Sequence, residues 1–177
     1  NMPITHLAES CVFLPDLLEY NDIAGTEGGF MFYGPPKNSY LWKTTIAAKL
    51  LEAVAPEKPR VIFMAGDQKP WSWYLHTPAE TSLCIASTVA NGANIWYGLH
   101  GATKLLATPG GIAAKKMIAR LQRDERYYAQ TQSGARVAVF YSFATQAHYR
   151  THTGASDFYG TAQDGAVGSG NFAESLY

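Results

Sequence analysis

The sequence predicts an α/β fold in which helices alternate with parallel strands. Three observations carry this. Arg60-Val61-Ile62-Phe63-Met64-Ala65 is a short, continuous apolar run of the kind a buried strand needs. Thr77-Pro78-Ala79-Glu80 is a helix start, with Thr as N-cap, Pro at the first helical position and Glu at the third. A second apolar run, Ala93 to His100, follows that helix at once. Two strands joined by a helix lie parallel, with a right-handed crossover.

The other elements follow along the chain. Met2 to Leu14 opens on a strand-like run, with Ser10–Leu14 as a short strand ended by Pro15. Asp16–Tyr20 reads as a helical turn. Ile23 to Tyr33 is strand or loop, with Gly25, Gly28 and Gly29 set around Glu27, and Gly34-Pro35-Pro36 breaks it. A helix capped by Ser39 runs to Val54; within it Leu41, Trp42, Thr45, Ile46, Lys49, Leu50 and Val54 keep helical spacing. Pro56 and Pro59 end it. Leu83, Ile85, Ala86, Val89 and Ala90 bury the next helix, and Asn91-Gly92 closes it. Gly110 and Gly111 precede a long amphipathic helix from Ile112 to about Thr131, whose last turns, Arg120 to Arg126, form a solvated charged face. Arg136 to Ser142 is a further buried strand. From residue 144 to 171 the chain is rich in Gly, Ser, Thr, Asp and His and reads as a long loop. Asn171–Tyr177 has the pattern of a helix that stops after two turns, and both ends suggest a piece of a longer protein.

Composition narrows the function. The 177 residues are 47% hydrophobic, enough for a real core, and only 16% charged. The formal net charge of +0 argues against a nucleic acid or anionic membrane partner. No apolar run reaches the length of a membrane span. No signal peptide is visible, which favours a cytoplasmic protein. Cys11 and Cys84 are the two cysteines and read as small core residues, not a disulfide framework. The five histidines show no metal-ligand spacing with acids; His148 and His152 are four apart, but in a loop-like stretch. Gly168-Ser169-Gly170 lacks the lysine of a phosphate loop. Neither a metal nor a cofactor is expected.

Aromatic residues make up 13% of the chain, and many fall where chemistry is expected. In parallel α/β folds the loops after the strands form the functional face. After the first strand comes Gly66-Asp67-Gln68-Lys69-Pro70-Trp71-Ser72-Trp73-Tyr74, and the second ends on Tyr97 and His100. Indole and phenol rings pack on the C–H faces of sugars, while carboxylates and imidazoles bind hydroxyls. Trp71, Trp73, Tyr97 and His100 are therefore candidate substrate-binding residues. The alternatives are a lid or subunit contact for the tryptophans and a satisfied structural role for His100.

The phrases Val61 to Trp73, Ala79-Glu80, Ala90-Asn91-Gly92-Ala93-Asn94 and Trp96-Tyr97-Gly98-Leu99-His100-Gly101 resemble the end of a glycoside hydrolase (β/α)8 barrel. In order, they resemble strand 7, helix 7, strand 8 and helix 8. The stretch from Arg136 resembles the passage into a flavodoxin-like or Rossmann-like trimerisation domain. Family 42 β-galactosidases, family 151 α-fucosidases and the "hypothetical glycosyl hydrolase 6" set share this order, and the last fits best. The resemblance covers roughly residues 55–177. It implies a partial TIM barrel over residues 1–132, the start of a trimerisation domain over 133–177, hydrolysis of O-glycosidic bonds, a carbohydrate substrate and a homotrimer. Phe63-Met64-Ala65-Gly66-Asp67 departs from family 42, where a Glu ends strand 7. Glycoside hydrolysis takes two carboxyl groups. Glu27, beside glycines that let a sugar approach the backbone, and Asp67, just after a strand, are the candidates within this chain. The alternative is a solvated loop Glu and a turn Asp, and a non-catalytic sugar-binding or assembly module on the same scaffold. The resemblance implies that the other catalytic carboxylate of such enzymes sits on the first four barrel strands, upstream of this chain.

Overall fold

The computed structural model describes residues 4–6, 18–28, 42–66, 75–99 and 102–140. Four strands, β1 (Ile4–His6), β2 (Ile23–Glu27), β3 (Arg60–Ala65) and β4 (Asn94–Gly98), form one sheet in the order β1-β2-β3-β4. Every neighbouring pair is parallel. Three helices alternate with them: α1 (Lys43–Val54), α2 (Pro78–Ala90) and α3 (Pro109–Arg123). The α/β class and the parallel pairing of β3 with β4 around α2 agree with the sequence.

The helices share one face of the sheet, since α1 packs on β2 and β3 and against α2, and α2 packs against α3. Two clusters lie between the layers. Ala24, Ala48, Leu51, Ile62 and Ala93 form one; Met64, Cys84, Ile85 and Ala114 form the other, with Ile95, Tyr97, Met117 and Leu121 packed against it. Leu51, Ile62, Met64 and Ile85 are fully buried, each worth about 1.5–3 kcal/mol of transfer free energy. Sequential order with every described helix on one side distinguishes this winding from a doubly wound sheet, whose order reverses and whose helices cover both faces.

Local chemistry accounts for the helix ends. Thr77 Oγ1 accepts from the Glu80 amide at 3.2 Å, and the Glu80 carboxylate accepts from the Thr77 amide at 2.8 Å, a complete capping box. At the far end Gly92 takes φ 71°, where a side chain is disfavoured. Helix α3 begins earlier than expected. Thr108 caps it, with its hydroxyl accepting from the Gly111 amide at 3.3 Å, and Pro109 leads. Gly110 and Gly111 thus belong to the first turn. Both are packed tightly: a Cβ at Gly110 would lie 2.5 Å from the His76 carbonyl, and one at Gly111 2.5 Å from that of Leu106.

Helix α3 also ends before Thr131. Asp124 is its C-cap and a 3-10 turn, Glu125–Tyr127, follows. The stripe of buried Gly110 and Ala114 and partly buried Met117 and Leu121 stops there, and without packing further turns gain too little to continue. The expected strand at Arg136 is corrected more sharply. Residues 136–140 form no strand, and Val137, Val139 and Phe140 are exposed. A strand is held by a hydrogen-bonded neighbour, and no described residue pairs with these. Helical residues at 18–19 match the predicted turn. The strand Ser10–Leu14, the Ser39 cap, the segment after residue 140 and the late helix lie outside the described residues.

Candidate functional site

The face of the sheet away from the helices is read from the register. Laterally paired residues of a parallel sheet point the same way, and successive residues point opposite ways. Ile62 and Met64 face the helices, so Val61, Phe63 and Ala65 face away. Glu27 pairs with Phe63, and Phe63 with Trp96. A carboxylate, a phenyl ring and an indole therefore occupy one row across three adjacent strands. Strands lie about 4.8 Å apart, so Glu27 and Trp96 are separated by about 10 Å with Phe63 between them.

The row is ordered by contacts within it. Phe63 and Trp96 meet edge to face, with centroids 5.5 Å apart and an interplanar angle of 80°. The ring of Phe63 covers Gly98, where a Cβ would lie 2.7 Å from Phe63 Cε2. Gly98 has no side chain to push the phenyl away. Trp96 keeps 53% of its surface exposed, a large fraction for an indole on a sheet, and Glu27 is half-buried at the C-terminal end of β2. Small residues, Ala65 and Gly98, make the next row toward the strand ends. The surface thus offers an exposed indole braced by a phenyl ring, and one carboxylate, at the end of the sheet where α/β folds place their sites.

Tyr97 is placed elsewhere. It pairs with Met64 and packs in the helix-side cluster, so it and Glu27 are on opposite faces of the sheet. Its hydroxyl runs against the end of β3, where a Cβ on Gly66 would lie 2.2 Å away. Asp67, Trp71, Trp73 and His100 lie outside the described residues. Trp96 and Phe63 were missed as candidates: alternation along β4 separates Trp96 from Tyr97, and the register with β3 puts Trp96 on the face of Phe63.

A cleft of about 250 Å³ opens at the other end of the sheet, lined in part by Lys49, Glu52, Asn91, Gly92, Tyr128 and Ser133. Its charged groups engage one another. Lys49 Nζ donates to Glu52 at 2.9 Å and to Ser133 at 3.1 Å, while Arg60 reaches Glu52 at 3.8 Å and donates to the Gly92 carbonyl at 2.9 Å. The N-terminal end of parallel strands serves stability in such folds, and this mutual pairing is of that kind. Cys84 is a buried free thiol, pushed up to about 11 by burial and partly offset by its contact with Thr44. It is a core residue, not a nucleophile. Among the described residues no group of three or more His, Cys, Asp or Glu side chains could hold a metal. Among them, too, no helix is long and apolar enough to cross a membrane. Comparison of the chain with family models, curated proteins and solved structures finds no match.

Proposed function

We propose that the chain is part of a carbohydrate-active hydrolase built on a (β/α)8 barrel, with Glu27 as one of its two working carboxylates. The observation that carries the reading is the row Glu27–Phe63–Trp96 on the helix-free face. A pyranose stacked on Trp96 has its hydroxyls and glycosidic oxygen within reach of a carboxylate two strands away. The uniform strand order supports the barrel, because a singly wound sheet leaves one face bare and closing it into a barrel covers that face. In hydrolysis a carboxylic acid gives its proton to the departing oxygen as the C–O bond breaks. A second carboxylate attacks the sugar carbon or takes a proton from water, so water is consumed and each product gains a hydroxyl. Asp67, two residues beyond β3 in sequence, remains a further candidate carboxylate of this chain, and Trp71, Trp73 and His100 remain candidate sugar-binding residues. Assembly as a trimer belongs to the same reading.

Glu27→Gln in the full-length protein tests this. Turnover of p-nitrophenyl glycosides is expected to fall at least about a hundredfold, the scale of general acid catalysis. Unchanged turnover removes Glu27 from the mechanism. A second reading, a sugar-binding module without chemistry, is favoured by one fact: among the described strands Glu27 is the single carboxylate on the helix-free face. It predicts no turnover by the wild type, with oligosaccharide binding that Trp96→Ala abolishes in calorimetry.

A further inference from the structure

We infer that Thr44, on the opposite side of the sheet from the carboxylate, is a positioning residue for Glu27. The inference rests on the reading of Glu27 as the working carboxylate. Glu27 ends β2, and the next residue, Gly28, is fastened at both of its peptide groups. Its amide donates to the Phe63 carbonyl at 3.0 Å. Its carbonyl accepts from the Thr44 hydroxyl, which comes from the first turn of α1. With both groups held, the backbone leaving Glu27 has one course, and so does the direction in which its side chain leaves the strand.

The hydroxyl of Thr44 has no packing rationale. The residue is fully buried, and in such a place valine would fill the same volume without a polar atom to satisfy. Nor does the hydroxyl serve its own helix, as threonines in first turns often do. The N-cap of α1 is Trp42, which makes no side-chain cap bond, and the Thr44 hydroxyl reaches back to the strand end instead. Cys84 Sγ lies 3.5 Å from this hydroxyl and 4.0 Å from the Gly28 carbonyl, so the thiol backs the same bond from α2. The strand end is drawn close to the core: a Cβ on Gly28 would lie 2.4 Å from Ile62 Cγ2 and 3.6 Å from Thr44 Cα. Glycine at position 28 and threonine at position 44 thus form one device. The first allows the close approach and the second holds it, while Glu27 projects on the other face.

The experiment compares Thr44→Val and Thr44→Ser in the full chain, each crystallised and assayed on p-nitrophenyl glycosides beside Glu27→Gln. Thr44→Val is expected to displace the Glu27 carboxylate by about 1 Å and to lower kcat by about ten- to a hundredfold, with KM changed less than about twofold, since a misplacement of that size costs rate rather than affinity. Thr44→Ser, which keeps the hydroxyl, restores both. A carboxylate that stays within about 0.3 Å in the valine variant overturns the inference, because positioning of reactive groups is felt only above about 0.5 Å. So does a serine variant that behaves like the valine one. Should valine not fold, Thr44→Ser against Thr44→Ala carries the comparison, and equal displacement in both overturns it. The two ideas fail separately: unchanged turnover in Glu27→Gln removes the catalytic reading, whereas the crystallographic arm judges Thr44 whether or not turnover is found.

Discussion

Replacing Gly28 with alanine tests the packing that brings the end of β2 onto the core. The new Cβ would lie 2.4 Å from Ile62 Cγ2, over 1 Å inside the roughly 3.5–4.0 Å at which two carbons rest. Ile62 is fully buried and its Cγ2 is a branch methyl beside the backbone, so it has little room to retreat. Overpacking of this size costs about 1–3 kcal/mol. Movement of the strand end would also strand the Gly28 carbonyl from the Thr44 hydroxyl, adding about 1–3 kcal/mol for a buried unsatisfied group. Alanine returns about 0.4–1 kcal/mol by restricting the unfolded chain. The net loss centres near 3 kcal/mol, a melting temperature lower by about 6–12 °C for a domain of this size. Thermal and urea melts of the wild type, Gly28→Ala, Ile62→Ala and the double variant measure it. Ile62→Ala alone costs about 2–5 kcal/mol but removes the atom that the alanine strikes. The double variant should therefore be more stable than the sum of the singles implies by at least about 1 kcal/mol. A Gly28→Ala variant as stable as the wild type, or a cycle additive within about 0.5 kcal/mol, refutes the argument.

Three further outcomes are expected. Thr77→Ala removes the acceptor of the α2 capping box and should cost about 1 kcal/mol, while Thr77→Ser should sit near the wild type in the same melts. Gly92→Ala puts a side chain at φ 71° and should cost about 1–2 kcal/mol, with Gly92→Asn milder because asparagine tolerates the left-handed region. Cys84, in a Cys11→Ser background, should resist a disulfide reagent at pH 8 in the folded chain and react at once in guanidinium. Its acidity is pushed from an ordinary 9.0 to about 11. The unfolded chain therefore loses this proton first, and the contribution of Cys84 is fully present below pH 9 and lost as pH rises toward 11. Stability of Cys84→Ser that falls as steeply as the wild type over that window would show that the thiol is not responsible.

Strong local chemistry was legible in the sequence, and lateral arrangement was less so. Thr77, Pro78 and Glu80 set the start of α2, and Asn91-Gly92 its end, because both signals act within a few residues. The same Thr-Pro pair recurs at Thr108-Pro109, yet Gly110 and Gly111 read as a break. Glycine is a poor helix former on its own, but here it is required by the His76 and Leu106 carbonyls, contacts invisible along the chain. Alternation along β4 was available and puts Trp96 and Tyr97 on opposite faces of the sheet, but not which of them shares the face of Phe63. That Glu27, Phe63 and Trp96 share a row depends on register across 69 positions, from 27 to 96, which only pairing fixes. The run at Val137 has the composition of a central strand, but burial is conferred by neighbours, and among the described residues it has none.

The coincidence of chain order and spatial order has a kinetic consequence. β2 and β3 pair residues 24 and 60, and β3 and β4 pair 61 and 94, so each new strand closes a loop of similar, moderate length onto the one before. Among the described strands none waits for a distant partner. Loop-closure entropy is spread over successive small steps instead of one large one. On a ribosome delivering about 5–20 residues per second, the next docking surface arrives within about 2–7 seconds of the last. β3 can therefore dock on β2 before β4 has been made, and an unpaired apolar strand such as Arg60–Ala65 is exposed only for the time one repeat takes to emerge.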